Sequence, residues 1–135
     1  MGYRSQVFYG ATFPTDDEAN SAMVAAKLKF DFGDKHENDW FWDNHCERSN
    51  NRIIFMHDSI KWYTSYDSIV NIINMFTWFN EELGAHVRFL RVGEEQDDIE
   101  DSYWGGHSNE DEYEDDIIQY EVYTQTTIVT PWGNL

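Results

Sequence analysis

The chain has 135 residues, 41% of them hydrophobic, including 9 Phe, 8 Tyr and 6 Trp; that is apolar bulk enough for one domain with its own core and too much for a disordered chain. Its 26 acidic and 9 basic side chains give a net charge of −17, which argues against direct binding to nucleic acid, whose phosphates call for Lys and Arg. No apolar run reaches the ~20 residues of a membrane span, the N-terminus lacks a signal-peptide pattern, and the single Cys46 suits a reducing cytoplasm.

The first element predicted is a strand over 5–13. Val7, Tyr9, Ala11 and Phe13 alternate with Gln6, Phe8, Gly10 and Thr12, and Pro14 ends the run. Thr15 and Glu18 have capping-box spacing and open a helix, with Asp16, Asp17 and Glu18 at its start and Lys27 and Lys29 at its end. Ala19, Ala22, Met23 and Ala26 share one face of it. Residues 30–51 read as an irregular insert loop around the aromatic knot Trp40-Phe41-Trp42, with a short helical turn or a strand at the knot. A strand over 52–58 turns tightly at Asp58 and Ser59 into a second strand, 60–63. The clearest helix runs over 67–83: Ile69, Ile72, Ile73, Phe76, Phe79 and Leu83 form an apolar stripe, Thr64, Ser65 or Asp67 caps its start, and Gly84 stands at its C-cap. A strand over 86–92 follows, then an acidic, turn-rich loop over 93–116 and a long final strand over 117–129.

The order βαββαβ plus one more strand predicts an α+β protein of the split-βαβ, or ferredoxin-like, class. Its sheet is expected to be mainly antiparallel, with both helices on one face and the additional C-terminal strand at an edge.

Charge is distributed unevenly. Residues 1–91 carry all 9 basic and 13 acidic side chains; residues 92–135 carry 13 acidic side chains and no Lys or Arg. The C-terminal third therefore holds most of the excess charge, which costs self-repulsion unless the fold or a partner offsets it.

Several motifs carry a resemblance. Met1-Gly2-Tyr3-Arg4-Ser5 leads into the first strand; Ile60-Lys61-Trp62-Tyr63 and Ser65-Tyr66-Asp67 precede the second helix; Phe89-Leu90-Arg91-Val92-Gly93-Glu94-Glu95 is followed by Asp97-Asp98-Ile99-Glu100. Over residues 1–10 and about 60–101 the chain resembles small acidic proteins of tailed bacteriophages and prophages. The resemblance transfers no catalytic residue. It implies a phage product in the host bacterial cytoplasm, a setting in which small acidic proteins often inhibit host defence or nucleic-acid enzymes.

The predicted partner-binding residues are Glu94, Glu95, Asp97, Asp98, Glu100 and Asp101, then Glu110, Asp111, Glu112 and Glu114, with Tyr103, Trp104 and Tyr113 as aromatic anchors. Closely spaced carboxylates imitate a phosphate array and steer toward a basic groove. The expected partner is a host protein with a basic nucleic-acid-binding surface, met by a monomer or homodimer that binds no nucleic acid, no membrane and no cofactor. Trp40 and Trp42, in a polar stretch, also suit an interface. His36, Glu37, Asp39, Asp43, His45, Cys46 and Glu47 group acceptable metal ligands, but without a zinc spacing. The acidic run lacks the EF-hand pattern. His57 beside Asp58 has no nucleophile motif near it. The alternatives are a small enzyme or ligand-binding domain using 36–47, and an accessory protein whose acidity aids solubility.

Overall fold

The computed structural model describes residues 2–95 and 97–106, and the backbone of 121–123, 127–130 and 133–134. It is a mixed α+β structure with three helices and a five-stranded antiparallel sheet. The elements are β1 (Ser5–Thr12), α1 (Asp16–Lys29), α2 (Lys35–Asn44), β2 (Cys46–Ser49), β3 (Arg52–Ile60), α3 (Asp67–Glu81), β4 (His86–Val92) and β5 (Ile99–Trp104). The sheet order is β2-β3-β1-β4-β5. Three short strands, β6 (Glu121–Tyr123), β7 (Thr127–Thr130) and β8 (Gly133–Asn134), form a separate sheet.

Alternation along β1 sorts the core into two layers. Val7, Tyr9, Ala11 and Phe13 point to the face that carries all three helices, where they meet Ile53 and Phe55 of β3, Val87 and Phe89 of β4, Ala22, Met23 and Ala26 of α1, and Ile69, Ile72, Phe76 and Phe79 of α3. Phe8, Ile54, Leu90 and Val92 form a smaller cluster on the opposite face. Strand β7 lies against β1 and β4. Helix α1 starts as its capping box predicts, with the Thr15 hydroxyl accepting the Glu18 N–H at 3.1 Å.

The structure differs from the sequence expectations at five places. The 30–51 stretch is not a loop: it holds helix α2, capped by Asp34 through the Glu37 N–H, and edge strand β2. Only Phe41 of α2 is buried, so no helical stripe marks it in the sequence. The hairpin lies at Asn50 and Asn51, where Asn50 takes a left-handed φ of 57°, and not at Asp58 and Ser59. There β3 continues to Ile60 through a bulge: the step from Val7↔His57 to Ser5↔Ile60 takes two residues on β1 and three on β3. No side chain caps α3, whose N-cap is Tyr66. Finally, the fifth strand of the sheet is β5, inside the expected acidic loop, while the described parts of 117–129 belong to the second sheet. The rest of that expected strand lies outside the described residues.

Candidate functional site: the β4–β5 corner and its aromatic cleft

Strand β4 is apolar except for His86, Arg88 and Arg91, and alternation sends the two arginines to opposite faces. The next segment supplies their partners. Arg88, 8% exposed, holds Asp101 through two bonds, Nε to Oδ1 at 3.0 Å and Nη2 to Oδ2 at 2.8 Å. Arg91 donates from Nη2 to Asp98 Oδ1 at 2.6 Å, from Nη1 to Asp98 Oδ2 at 3.2 Å and Ser5 Oγ at 3.0 Å, and from Nε to Glu100 Oε1 at 2.6 Å. These bonds explain why an acidic segment forms a strand: pairing to β4 sets its carboxylates against two guanidinium groups.

The connecting turn is fixed from outside. The Tyr3 hydroxyl donates to Asp98 Oδ2 at 2.5 Å and accepts the Glu95 N–H at 2.9 Å. The Arg4 N–H donates to the Glu94 carboxylate. A Cβ at Gly93 would collide with both the Asp98 carboxylate and the Tyr3 hydroxyl, so a larger residue there would displace the two groups that fix the turn. The Arg91 guanidinium, then the Tyr3 hydroxyl, hold the Asp98 carboxyl below its ordinary value. Burial works against the Arg91 charge, but its bonds to Asp98 and Glu100 outweigh it and raise its value.

On the helix side, β5 overhangs a cleft of about 780 Å³. Its aromatic lining is Tyr9, Trp62, Phe89 and Trp104, with Tyr3 and Tyr63 at the rim; Arg91, Asp98 and Glu100 form the polar wall. The Tyr9 ring is the floor, stacked on Phe76 at 4.4 Å and 9°. Phe89 lies 4.8 Å from it at 48°, Trp62 at 6.4 Å and 52°, and Trp104 at 6.5 Å and 22°. Burial, and then the charge of Glu100, push the Tyr9 phenol up to about 12, so it stays neutral at physiological pH.

The predicted site residues are thus divided. Asp98, Glu100 and Trp104 line the cleft, and Trp104 is 42% exposed. Asp101 and Tyr103 turn to the other face, where the Tyr103 hydroxyl lies 2.7 Å from His86 Nδ1. The Gly106 N–H donates to that same nitrogen at 3.0 Å. Glu94, Glu95 and Asp97 are exposed at the turn. Glu110, Asp111, Glu112, Tyr113 and Glu114 lie outside the described residues. Sequence reasoning missed Tyr3, Tyr9, Trp62, Phe89 and Arg91. The available signal was two arginines in an apolar strand followed by carboxylates at hairpin distance.

The residues weighed as metal ligands are dispersed. Asp39 pairs with Lys35 at 2.9 Å on the outer side of α2, Cys46 is buried, and burial raises its thiol value. Among the described residues, no group of three or more His, Cys, Asp or Glu is placed to hold a metal ion, and no helix is long and apolar enough to cross a membrane. His45 stacks on His57 at 4.3 Å and 9°, under Trp40, which is 47% exposed. Burial, then His45, lower the His57 value below its ordinary 6.5, while Asp58 opposes them and Arg4 adds to the lowering. The unfolded chain therefore takes up this proton first. Stability from a neutral His57 is full above pH 6.5 and is lost as pH falls through the folded value. We expect a loss of up to about 1.4 kcal/mol per pH unit in that window, reduced in His57→Gln; equal acid sensitivity in urea unfolding of both proteins would contradict it.

No family model, curated protein or solved structure matches the chain.

Proposed function

We propose that this is a non-enzymatic, phage-type acidic binding protein: an inhibitor or decoy of a host protein with a basic, nucleic-acid-handling surface, acting in the bacterial cytoplasm. The carrying observation is the charge imbalance at the β4–β5 corner. Six carboxylates lie within 94–101, and two guanidinium groups are bonded to three of them. Ile99, 37% exposed, and Trp104 stand beside that surplus, as apolar anchors stand beside charge in protein interfaces. The charge attracts and orients a basic partner, and the anchors hold it. Asp98, Glu100 and Asp101 are partly neutralised by their arginines, and Glu94, Glu95 and Asp97, exposed at the turn, add to the attraction. We further read α1, α3 and the order β2-β3-β1-β4 as a ferredoxin-like βαββαβ unit, to which α2 and β5 are additions.

The test is capture of bacterial lysate proteins on the immobilised chain across a salt series, with duplex DNA as competitor. We expect capture of a basic protein that falls steeply with salt, is displaced by DNA, and drops at least about tenfold for Glu94→Gln/Glu95→Gln/Asp97→Asn at low salt, since each exposed charge is worth little alone but the block acts together. That variant leaves the arginine pairs intact. Capture indifferent to salt and to the block would overturn the proposal. So would a chain that stays monodisperse and captures nothing, which favours acidity as a solubility feature.

A further inference from the structure

We propose that the cleft beneath β5 is a binding site for an organic cation, an alkylated ammonium or guanidinium head group. Three observations converge on that chemistry. First, four aromatic rings line the cleft: Trp104, 42% exposed, and partly buried Trp62, over Tyr9 and Phe89, which are 5% and 6% exposed. Aromatic faces are negative, and several of them around one point attract a cation that is poorly hydrated. Second, the polar wall is net negative, with Asp98 and Glu100 against Arg91. Glu100 keeps a half-exposed side chain, 53%, at the mouth. Third, the one cationic group among the described lining residues is committed. Arg91 spends its donors on Asp98, Glu100 and Ser5 and is 13% exposed, so it offers a carboxylate or phosphate ligand little. An anion would also meet the −17 charge of the chain, which concentrates cations instead.

The described lining of the cleft comes from residues between 3 and 104, and its volume of about 780 Å³ is in the ordinary range for small-ligand sites. Tyr9 is held rigid by Phe76 beneath it, and the Tyr3–Asp98–Arg91 bonds fix the wall, so the site is built before a ligand arrives. The cation can be a free small molecule or the side chain of a bound protein. In the second case, the site supplies a specific pocket within the binding face proposed above.

The experiment compares choline with 3,3-dimethylbutan-1-ol, a neutral molecule of the same shape, by tryptophan fluorescence and NMR titration of the full chain. A third arm uses N-acetyl-arginine amide. We expect choline or the arginine derivative to bind at least about tenfold more tightly than the neutral alcohol, since only the charge differs from choline. Preference for choline points to a free alkylammonium ligand; preference for the arginine derivative points to a protein side chain. Trp104→Ala, at an exposed position, and Glu100→Gln, which keeps an acceptor for Arg91, should each weaken cation binding about tenfold while leaving the unfolding midpoint close to that of the parent. Binding of the neutral alcohol as tight as that of both cations, no binding of either cation, or indifference to both substitutions would overturn the proposal. No partner protein enters these titrations, so their failure is separate from failure of the lysate capture.

Discussion

Phe76→Ala should lower the free energy of unfolding by about 3–5 kcal/mol, the usual cost of truncating a buried aromatic side chain. Phe76 is 0% exposed and stands where α3 meets the centre of the sheet. Its ring stacks on Tyr9 at 4.4 Å and meets Phe79 edge-on at 5.3 Å. Removing it deletes apolar burial and two ring contacts, and the neighbours cannot close the gap, because Tyr9 is fixed in β1 between β3 and β4. The cleft should suffer too, since Tyr9 loses its support. Urea unfolding followed by tryptophan fluorescence gives the number. A loss below about 1 kcal/mol would show that α3 does not seat on the sheet as described.

The second large effect is expected at Arg91. Arg91→Met keeps the apolar stem but leaves Asp98 and Glu100 facing each other across the vacated guanidinium position. Loss of charged hydrogen bonds of this kind costs about 2–3 kcal/mol, held to the low side here because the carboxylates are 31% and 53% exposed and partly screened. Adding Asp98→Asn and Glu100→Gln should return at least half of the loss, because the repulsion goes with the charges. Thermal unfolding of parent, single and triple variants at low salt measures this. If the triple variant is no more stable than the single one, pairing between β4 and β5 does not depend on these charges. The acid limb has a defined sign: the folded Asp98 value lies below the ordinary 3.8, so its contribution is present above pH 3.8 and disappears as pH falls through the folded value.

Much of the scaffold is legible in the sequence where burial imposes a period. Helix α3 is legible because Ile69, Ile72, Phe76 and Phe79 repeat at helical spacing and are all buried. Helix α1 is legible from Thr15, Glu18 and its alanines. Strand β1 alternates as its burial requires. The two missed elements share a cause: each is held by something other than a periodic apolar face. Helix α2 is held by one buried residue, Phe41, wedged against Phe32 at 3.8 Å. Strand β5 is held by the arginines of another strand, and composition alone makes it look like a loop. The carboxylates were legible as a group, but their split between two faces follows from register, Arg91 opposite Glu100 and Leu90 opposite Asp101. The cleft was least legible, because Tyr9, Trp62 and Phe89 come from three separate segments and each alone looks like core.

Strand β5 pairs, among the described residues, with β4 alone, so no described strand occupies its outer row of backbone N–H and C=O groups. Two copies of this chain approaching edge to edge would bring Glu100 and Asp101 of one beside the same residues of the other, with the carboxylates at 94, 95 and 97 close behind. Like charges brought together in that way disfavour the ladder before it can form. The acidity of this hairpin therefore opposes growth of the sheet from this edge into a polymer of its own kind. The protection is conditional on solvent, and it weakens in high salt or below the carboxylate range.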